Sequence, residues 1–194
     1  MAYEPIATGK VVSLCLNGKP VNDIVFGLFG PYGDKHNGFE RKANNHDKDY
    51  LRTSALLKGD RIFNWRTWTG LSVEEIKEVE QTIDANIPQG ILRENITFRG
   101  IPNFSKLPPA SRIVFPPRPL NYRRKGHTQA ILAVWGENGP CRGVGEPLEK
   151  YHERPGLMTA FVNAAQGKRG VMGFVLSPGF VKVGDTVAVY SPVQ

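Results

Sequence analysis

Cys141 is the residue of this chain whose surroundings most favour reactive chemistry. It lies in a glycine-rich segment, residues 136–145, that directly follows the apolar run 130–135. A cysteine on a tight turn at the end of a strand is poorly placed to be a core residue. The adjacent Arg142 would stabilise a thiolate, which is the form that acts as a nucleophile or as a ligand for a soft metal. The alternative is a small residue in a tight loop, for which serine or alanine would have served.

Two other groups of polar residues have side chains of the types used in catalysis or metal binding. The first group comprises Asp34, His36, His46, Asp47 and Asp49. Its two histidines are separated by nine residues, which matches no ligand spacing of a helix or hairpin, so we expect most of these groups to be solvated. The second group is Glu94 and Asn95, at the start of a predicted strand, which are candidates either for holding a ligand or for capping a turn.

The second cysteine, Cys15, has a different sequence environment. It alternates with apolar residues in the segment 11–16, a pattern of period two that is typical of a strand covered on both faces. We expect a packed core thiol whose pKa is raised by burial. The two cysteines form no CxxC or Cys/His spacing, so the sequence indicates neither a disulfide scaffold nor a structural zinc site.

The charge of the chain favours an anionic partner. Its 194 residues include 25 basic and 18 acidic side chains, a formal net charge of +7. Nucleic acid, an acidic lipid surface and a phosphorylated cofactor all fit such a surplus. The densest basic segment contains Arg118, Tyr122, Arg123, Arg124, Lys125 and His127. It includes proline and lacks helical periodicity, so we interpret it as a solvated loop. The alternative is a basic β-barrel that binds nucleic acid through these residues, with Tyr122 stacking on bases, but we expect no such binding at physiological salt.

No membrane segment is expected. The longest uninterrupted apolar run, residues 130–135, has six residues, whereas a transmembrane helix needs about 20. The apolar residues 11–16 are interrupted by Ser13 and follow Glu4 and Pro5, which is unlike a signal peptide. We therefore expect a cytoplasmic protein.

The elements that must position these residues are mostly strands. One clear helix is predicted at residues 72–87, where Ser72 and Glu75 form a capping box, and a weaker helix at 157–165. Residues 26–50 show no periodicity and predict a functional or disordered loop. Strands are predicted at residues 11–16, 61–65, 95–99, 112–115, 131–135, 171–176 and 181–190, the last with a turn at 184–185. About seven short strands and one strong helix favour an antiparallel barrel or sandwich.

Several segments, in order along the chain, resemble the MOSC domain family, named for the C-terminal domain of molybdenum cofactor sulfurases. The matching segments are residues 33–38, 64–66, 71–75, 90–100, 139–141, 169–171 and 181–185. At one position the chain departs from the pattern: relatives commonly have Gly-Glu-Asn before the strand threonine, whereas this chain has Arg93 before Glu94 and Asn95.

The resemblance implies a mainly β fold, the MOSC-type (pyruvate-kinase-like) barrel with a few peripheral helices. It implies a single domain over residues 1–194, with the resemblance concentrated in about 33–190. A complete sulfurase would also need a large pyridoxal-phosphate domain, and a chain filled by this barrel leaves no room for one. Any sulfur must then come from a partner protein.

The resemblance also implies roles for individual residues. In the leading hypothesis Cys141 ligates molybdenum in a molybdopterin cofactor, and the protein reduces N-hydroxylated small molecules with electrons from a redox partner. The basic residues Arg142, Lys168 and Arg169 are then candidates for the pterin phosphate, and Asp34, His36 and Asn95 would face the substrate. In the alternative hypothesis Cys141 carries sulfur as a persulfide for metal–sulfur cluster or cofactor assembly, and the protein is not an enzyme.

Overall fold

A computed structural model of the protein describes residues 2–44, 47–118 and 129–193, with the backbone alone at residues 48–50. The strands of this part of the chain are β1 (Tyr3–Leu16), β2 (Lys19–Val21), β3 (Asp23–Gly27), β4 (Gly30–Pro31), β5 (Glu40–Lys42), β6 (Arg61–Phe63), β7 (Trp68–Ser72), β8 (Ile96–Arg99), β9 (Arg112–Val114), β10 (Ile131–Glu137), β11 (Val171–Ser177), β12 (Gly179–Lys182) and β13 (Thr186–Pro192). The helices are α1 (Lys48–Thr53), α2 (Val73–Ile83), α3 (Arg142–His152) and α4 (Leu157–Ala164).

Seven strands form a closed barrel, as the sequence predicts. Their order is β13-β9-β10-β11-β7-β8-β1, and pairing of β1 with β13 closes the barrel. All neighbours in the barrel are antiparallel except β7 and β8, which are parallel. The interior is filled by large apolar side chains, including the fully buried Trp68, Phe98 and Phe104. Trp68 Nε1 donates to the carbonyls of Ala133 and Phe174, so its polar group is satisfied inside the core.

The predicted first helix is shorter in the structure and is capped differently. Ser72 Oγ accepts a hydrogen bond from the Glu75 amide at 3.4 Å, but the Glu75 carboxylate does not return to Ser72. It accepts instead from the amide and hydroxyl of Ser105, at 2.9 and 2.6 Å. The helix ends at Ile83 because Asp84 adopts a left-handed conformation with φ of 49°. The weaker predicted helix is confirmed as α4.

The sequence analysis missed helix α3. Its residues Gly143, Gly145 and Pro147 are weak helix formers, and they hide the apolar positions that the helix buries. Val144 and Leu148 pack with Leu157 and Phe161 of α4 in a second apolar cluster outside the barrel. Tertiary packing therefore stabilises a helix that its local propensity does not indicate.

The segment 26–50 is more regular than expected. It contributes the end of β3, then β4, β5 and the start of α1, and β5 pairs with β6 as a separate ribbon. Its charged residues are tied down by side-chain hydrogen bonds, as described below. In the described part of this segment ten residues belong to strands or to α1, and turns and loops connect these elements.

The basic segment lies mostly outside the described residues, because the structure describes none of 119–128. Its first member, Arg118, forms an ion pair with Asp185. In the described part of the chain, no helix is long and apolar enough to cross a membrane.

Candidate functional site

Cys141 occupies the N-cap position of helix α3, immediately after the loop that leaves β10. Its carbonyl accepts the amides of Val144 and Gly145, at 3.2 and 3.1 Å, while its side chain makes no capping hydrogen bond. The thiol is free and partly exposed. A helix N-terminus carries partial positive charge, which favours a thiolate over a thiol. The position therefore suits a reactive sulfur.

Arg169 fixes the loop that carries Cys141. Its buried guanidinium donates to the carbonyls of Asn138 and Gly139, at 3.3 and 3.2 Å, and to the carbonyl of Leu92 at 3.0 Å. Burial lowers the pKa of Arg169 to about 10, an effect that the neighbouring Cys141 sulfur opposes. The arginine thus joins the Cys141 loop to the turn that precedes β8, and its charge faces the sulfur.

The position of Arg169 depends on the glycine that follows it. Gly170 has φ of +77°, and a Cβ at this residue would lie 1.9 Å from the carbonyl oxygen of Gly70. Only glycine permits this close approach of the chain to β7. In the segment Arg169-Gly170-Val171, noted in the sequence, the close packing of Gly170 against β7 therefore positions the Arg169 guanidinium near Cys141.

The guanidinium group of Arg66 is a second positive charge that acts on Cys141. Burial lowers its pKa, the neighbouring Arg41 lowers it further, and Asp47 and Cys141 act in the opposite direction. The Asp47 carboxylate is already bound by both terminal nitrogens of Arg41 and by the Asn44 amide. Among the residues that the structure describes, no side chain forms an ion pair with Arg66.

A polar cleft of about 210 Å³ opens beside Arg66. It is lined by Lys35, His36, Asn37, Glu40, Arg41, Asn44, Asn64, Arg66, Thr69 and Asn95. Several of its amides are already used within the protein: Asn64 Nδ2, for example, donates to the carbonyls of His36 and Gly38. The groups that remain to meet a ligand are mainly cationic.

Asp34, His36 and Asn95 are brought together at one wall of this cleft. Asp34 Oδ1 accepts the backbone amide and Nδ1 of His36, at 2.8 and 3.0 Å, and Oδ2 accepts Asn95 Nδ2 at 3.0 Å. Burial acts to raise the pKa of Asp34, but hydrogen bonds from His36 and Asn17 outweigh it and hold the pKa at about 2. The ionised carboxylate keeps the proton of His36 on Nδ1, so Nε2 is the ring nitrogen left for other contacts.

Two of the predicted phosphate-binding residues do not line this cleft. Arg142 is exposed and pairs with Glu146 on the next turn of α3, at 3.2 Å. Lys168 pairs with Glu78 at 2.8 Å and lines a different depression, beside α2. Arg169, the third predicted residue, is committed to the three carbonyls described above.

The structure does not assemble the predicted cluster of Asp34, His36, His46, Asp47 and Asp49 into one site. Asp34 and His36 form one pair, whereas Asp47 is buried against Arg41. His46 and the side chain of Asp49 lie outside the described residues. In residues 2–44, 47–118 and 129–193, no three His, Cys, Asp or Glu side chains converge as metal ligands.

Arg66 is the site residue that the sequence analysis missed. The segment 64–66 was noted for its resemblance, but nothing in its residue types separates Arg66 from the other 24 basic residues. The available signal is an arginine between two tryptophans, Trp65 and Trp68, since burial of neighbouring aromatic residues brings a charged side chain into a restricted space.

Cys15 and Glu94 form a separate, buried pair. Cys15 is fully buried, and burial raises its pKa to about 11, as the sequence predicts. Its sulfur contacts Gln89 Nε2 at 3.4 Å and Glu94 Oε1 at 3.9 Å. Burial raises the pKa of Glu94, while the charge of Arg169 acts to lower it. Glu94 Oε1 also accepts the Gly90 amide at 2.5 Å, within the turn that precedes β8.

Comparison with known proteins gives consistent results. The MOSC domain model matches residues 66–188. The Bacillus subtilis (strain 168) protein YuaD, named as a candidate metal–sulfur cluster biosynthesis protein, is 32% identical over 177 residues, which cover 89% of this chain and 82% of YuaD. The crystal structure of YuaD superposes with a TM-score of 0.85 at 30% identity, covering 99% of this chain and 100% of YuaD.

A more distant structure shows the same fold. YiiM from Escherichia coli matches with a TM-score of 0.54 at 15% identity, covering 98% of this chain and 72% of YiiM. The barrel, the family match and the similarity to YuaD agree with one another. The chain belongs to the MOSC domain family.

Proposed function

We propose that the protein binds a molybdenum-containing pterin cofactor at Cys141 and the polar cleft beside Arg66, and reduces N-hydroxylated small molecules. The observation that carries this proposal is the free, partly exposed Cys141 thiol, on which the charges of two guanidinium groups act, one of them lining the polar cleft. A thiolate is a soft ligand of the kind that molybdenum accepts, and guanidinium groups complement a phosphate. The residues present therefore fit the group.

Each side chain of the site would have a definite task. Cys141 would ligate the metal, and Arg66 would offer its charge to an anionic group. Arg169 would hold the Cys141 loop in place, because its hydrogen bonds fix two carbonyls just before the cysteine. His36, oriented by Asp34, would present Nε2 to a molecule in the cleft. When bound, the cofactor supplies the two-electron redox chemistry.

Metal content tests the proposal. Protein from a host that makes the pterin cofactor should contain molybdenum by elemental analysis and release a fluorescent pterin on denaturation. The Cys141→Ala variant should lose the metal, and Cys15→Ala, which removes the other thiol, should keep it. Absence of molybdenum from the parent protein after co-expression of the cofactor pathway would contradict the proposal.

The similarity to YuaD favours a second candidate function, sulfur transfer. In this function the Cys141 thiolate attacks the terminal sulfur of a persulfide on a cysteine desulfurase. The S–S bond of the donor breaks as the new S–S bond forms, and the donor cysteine leaves as a thiolate. The partial exposure of Cys141 suits such an exchange between proteins.

Cyanide-releasable sulfur separates the two candidates. After incubation with a cysteine desulfurase and cysteine, a sulfur carrier should release thiocyanate on cyanolysis, and Cys141→Ala should not. The Cys15→Ala variant is the matched control. Sulfur without molybdenum would favour the carrier, whereas molybdenum without sulfur would favour the reductase.

A further inference from the structure

Arg66 carries a charge that has no ion-pair partner among the residues that the structure describes. Its guanidinium is partly buried, and none of these residues accepts a hydrogen bond from it. The carboxylate that acts on it, Asp47, is bound by Arg41. The other described carboxylates at the cleft also have partners: Glu40 is paired with Arg61, and Asp34 is held by His36 and Asn95. The guanidinium is therefore available to a ligand.

The surroundings of Arg66 add to its positive potential. Arg41 and Lys35 line the same cleft, and Arg169 lies behind Cys141. The amino-terminal end of α3, at Cys141, contributes the positive end of a helix dipole. A charge removed from bulk water and left unpaired is costly, and a bound anion removes this cost. A cleft with this arrangement attracts anions and repels cations.

We propose that Arg66 makes the polar cleft that it lines, close to Cys141, selective for ligands that carry a phosphate or carboxylate group. The proposal deepens the function given above and rests on it in one respect, that Cys141 is the reacting group. It also assigns the selectivity to a residue 75 positions away in sequence rather than to the adjacent Arg142. Arg142 is exposed and directed towards Glu146, so its charge is screened by solvent.

Paired alkylating reagents test the proposal on protein free of cofactor. Iodoacetate and iodoacetamide react with the same thiolate but differ in charge, so the ratio of their rates at Cys141 reports the local potential whatever the thiolate fraction. Peptide mass spectrometry measures labelling of Cys141 alone. Arg66→Gln should lower the iodoacetate to iodoacetamide ratio by about threefold or more at low salt, because electrostatic attraction accelerates encounter. Arg66→Lys should restore most of the ratio.

Arg142→Gln is the matched control, since it removes an arginine next to Cys141 in sequence and should leave the ratio nearly unchanged. High salt should lower the ratio in the parent protein and have little effect in Arg66→Gln. If Arg66→Gln folds and keeps the parental ratio, or if Arg142→Gln lowers it as much, the proposal is wrong.

Inorganic phosphate provides an independent measurement. Phosphate should slow alkylation of the parent protein by iodoacetamide and raise its melting temperature, and neither effect should occur in Arg66→Gln. Repeating this on cofactor-loaded protein identifies the source of the anion. Loss of the phosphate effects would show that the cofactor phosphate occupies the site, whereas their persistence would show that a free small molecule does. A parent protein that responds to phosphate no more than Arg66→Gln does would overturn the proposal, even if molybdenum is present.

Discussion

The two cysteines of this chain differ in the sign of the charged groups around them. The charges of Arg66 and Arg169 act on Cys141, which lies at a partly exposed helix start. Cys15 lies in the barrel wall against the carboxylate of Glu94, with no exposed surface. The same residue type is therefore a partly exposed thiol beside cationic groups at one position and a buried packing group at the other.

The largest difference is expected in reactivity. Under native conditions at pH 7, iodoacetamide should modify Cys141 and leave Cys15 unmodified until the protein unfolds. Because Cys15 is buried and its pKa is raised to about 11, labelling requires opening of the barrel. With unfolding free energies of 5–15 kcal/mol typical of such domains, we expect Cys15 to react at least about 10³-fold more slowly. Peptide mass spectrometry over time measures both rates.

Denaturant provides the control for this measurement. In unfolding concentrations of guanidinium the two cysteines should react at similar rates, since both are then ordinary exposed thiols. Equal labelling of Cys15 and Cys141 in the folded protein would mean that the barrel wall opens locally around β1, and the contrast between the two sites would fail.

Among the variants proposed here, replacement of Arg169 should lower the stability of the protein most. Replacement by methionine leaves the carbonyls of Leu92, Asn138 and Gly139 without donors and Glu94 without its cation. Breaking a buried charged interaction of this kind costs about 3 kcal/mol, which lowers the melting temperature by roughly 6–12 °C in a chain of this size. Thermal unfolding by circular dichroism checks this.

Arg142→Met is the matched variant for this prediction. Its ion pair with Glu146 lies on the surface, so its loss should change stability by less than about 0.5 kcal/mol. Similar losses of stability in the two variants would show that Arg169 contributes no more than a surface arginine does.

The difference between Arg142 and Arg169 also shows which parts of the site the sequence could predict. Cys141 stood out because a glycine-rich turn after an apolar strand is a local pattern. Arg66 did not, because it approaches Cys141 through the closure of the barrel. The resemblance named Arg169 together with Arg142 and Lys168, but no local pattern separated it from the other two. Contacts between distant segments depend on register and on close approaches such as that of Gly170 to Gly70. Alternation along one strand carries no such information.

The fold was more accessible to prediction than the site. Six of the seven barrel strands, all except β7, and helix α4 follow directly from hydrophobic periodicity. Helix α3 does not, because its glycines and its proline mask the apolar positions that it buries. Strand β5 was also missed, since Asp47, Arg41 and Asn64 hold this segment through polar contacts that have no periodicity.

The stability that Asp34 contributes at the wall of the cleft should depend on pH. The pKa of Asp34 is held at about 2 in the folded protein against 3.8 for a free side chain, which corresponds to roughly 2 kcal/mol of stability. Because the folded pKa is lowered, this contribution is complete above pH 4 and is lost as the pH falls from about 4 to 2. Asp34→Asn should therefore be less stable by about 2 kcal/mol at pH 7.

Urea unfolding of parent and variant between pH 2 and pH 7 measures this difference. The gap between the two proteins should close as the pH approaches 2, because the parental carboxyl is then protonated too. A gap of constant size across this range would mean that Asp34 acts through its shape and hydrogen bonds and not through its charge.

The smallest expected effect concerns Arg93, which lies on the turn that Arg169 ties to the Cys141 loop. Arg93 has φ of 60°, a left-handed conformation that favours glycine. Arg93→Gly should relieve this strain at some cost in chain entropy, for a net gain of about 0.5–1 kcal/mol. Arg93→Ala removes the same positive charge, which repels that of Arg169, but keeps the strained backbone conformation. It should therefore be close to neutral, and urea unfolding of the three proteins at pH 7 separates the two causes. Equal stabilisation by glycine and alanine would show that crowding of cations near Arg169, and not the backbone, limits the stability of this turn.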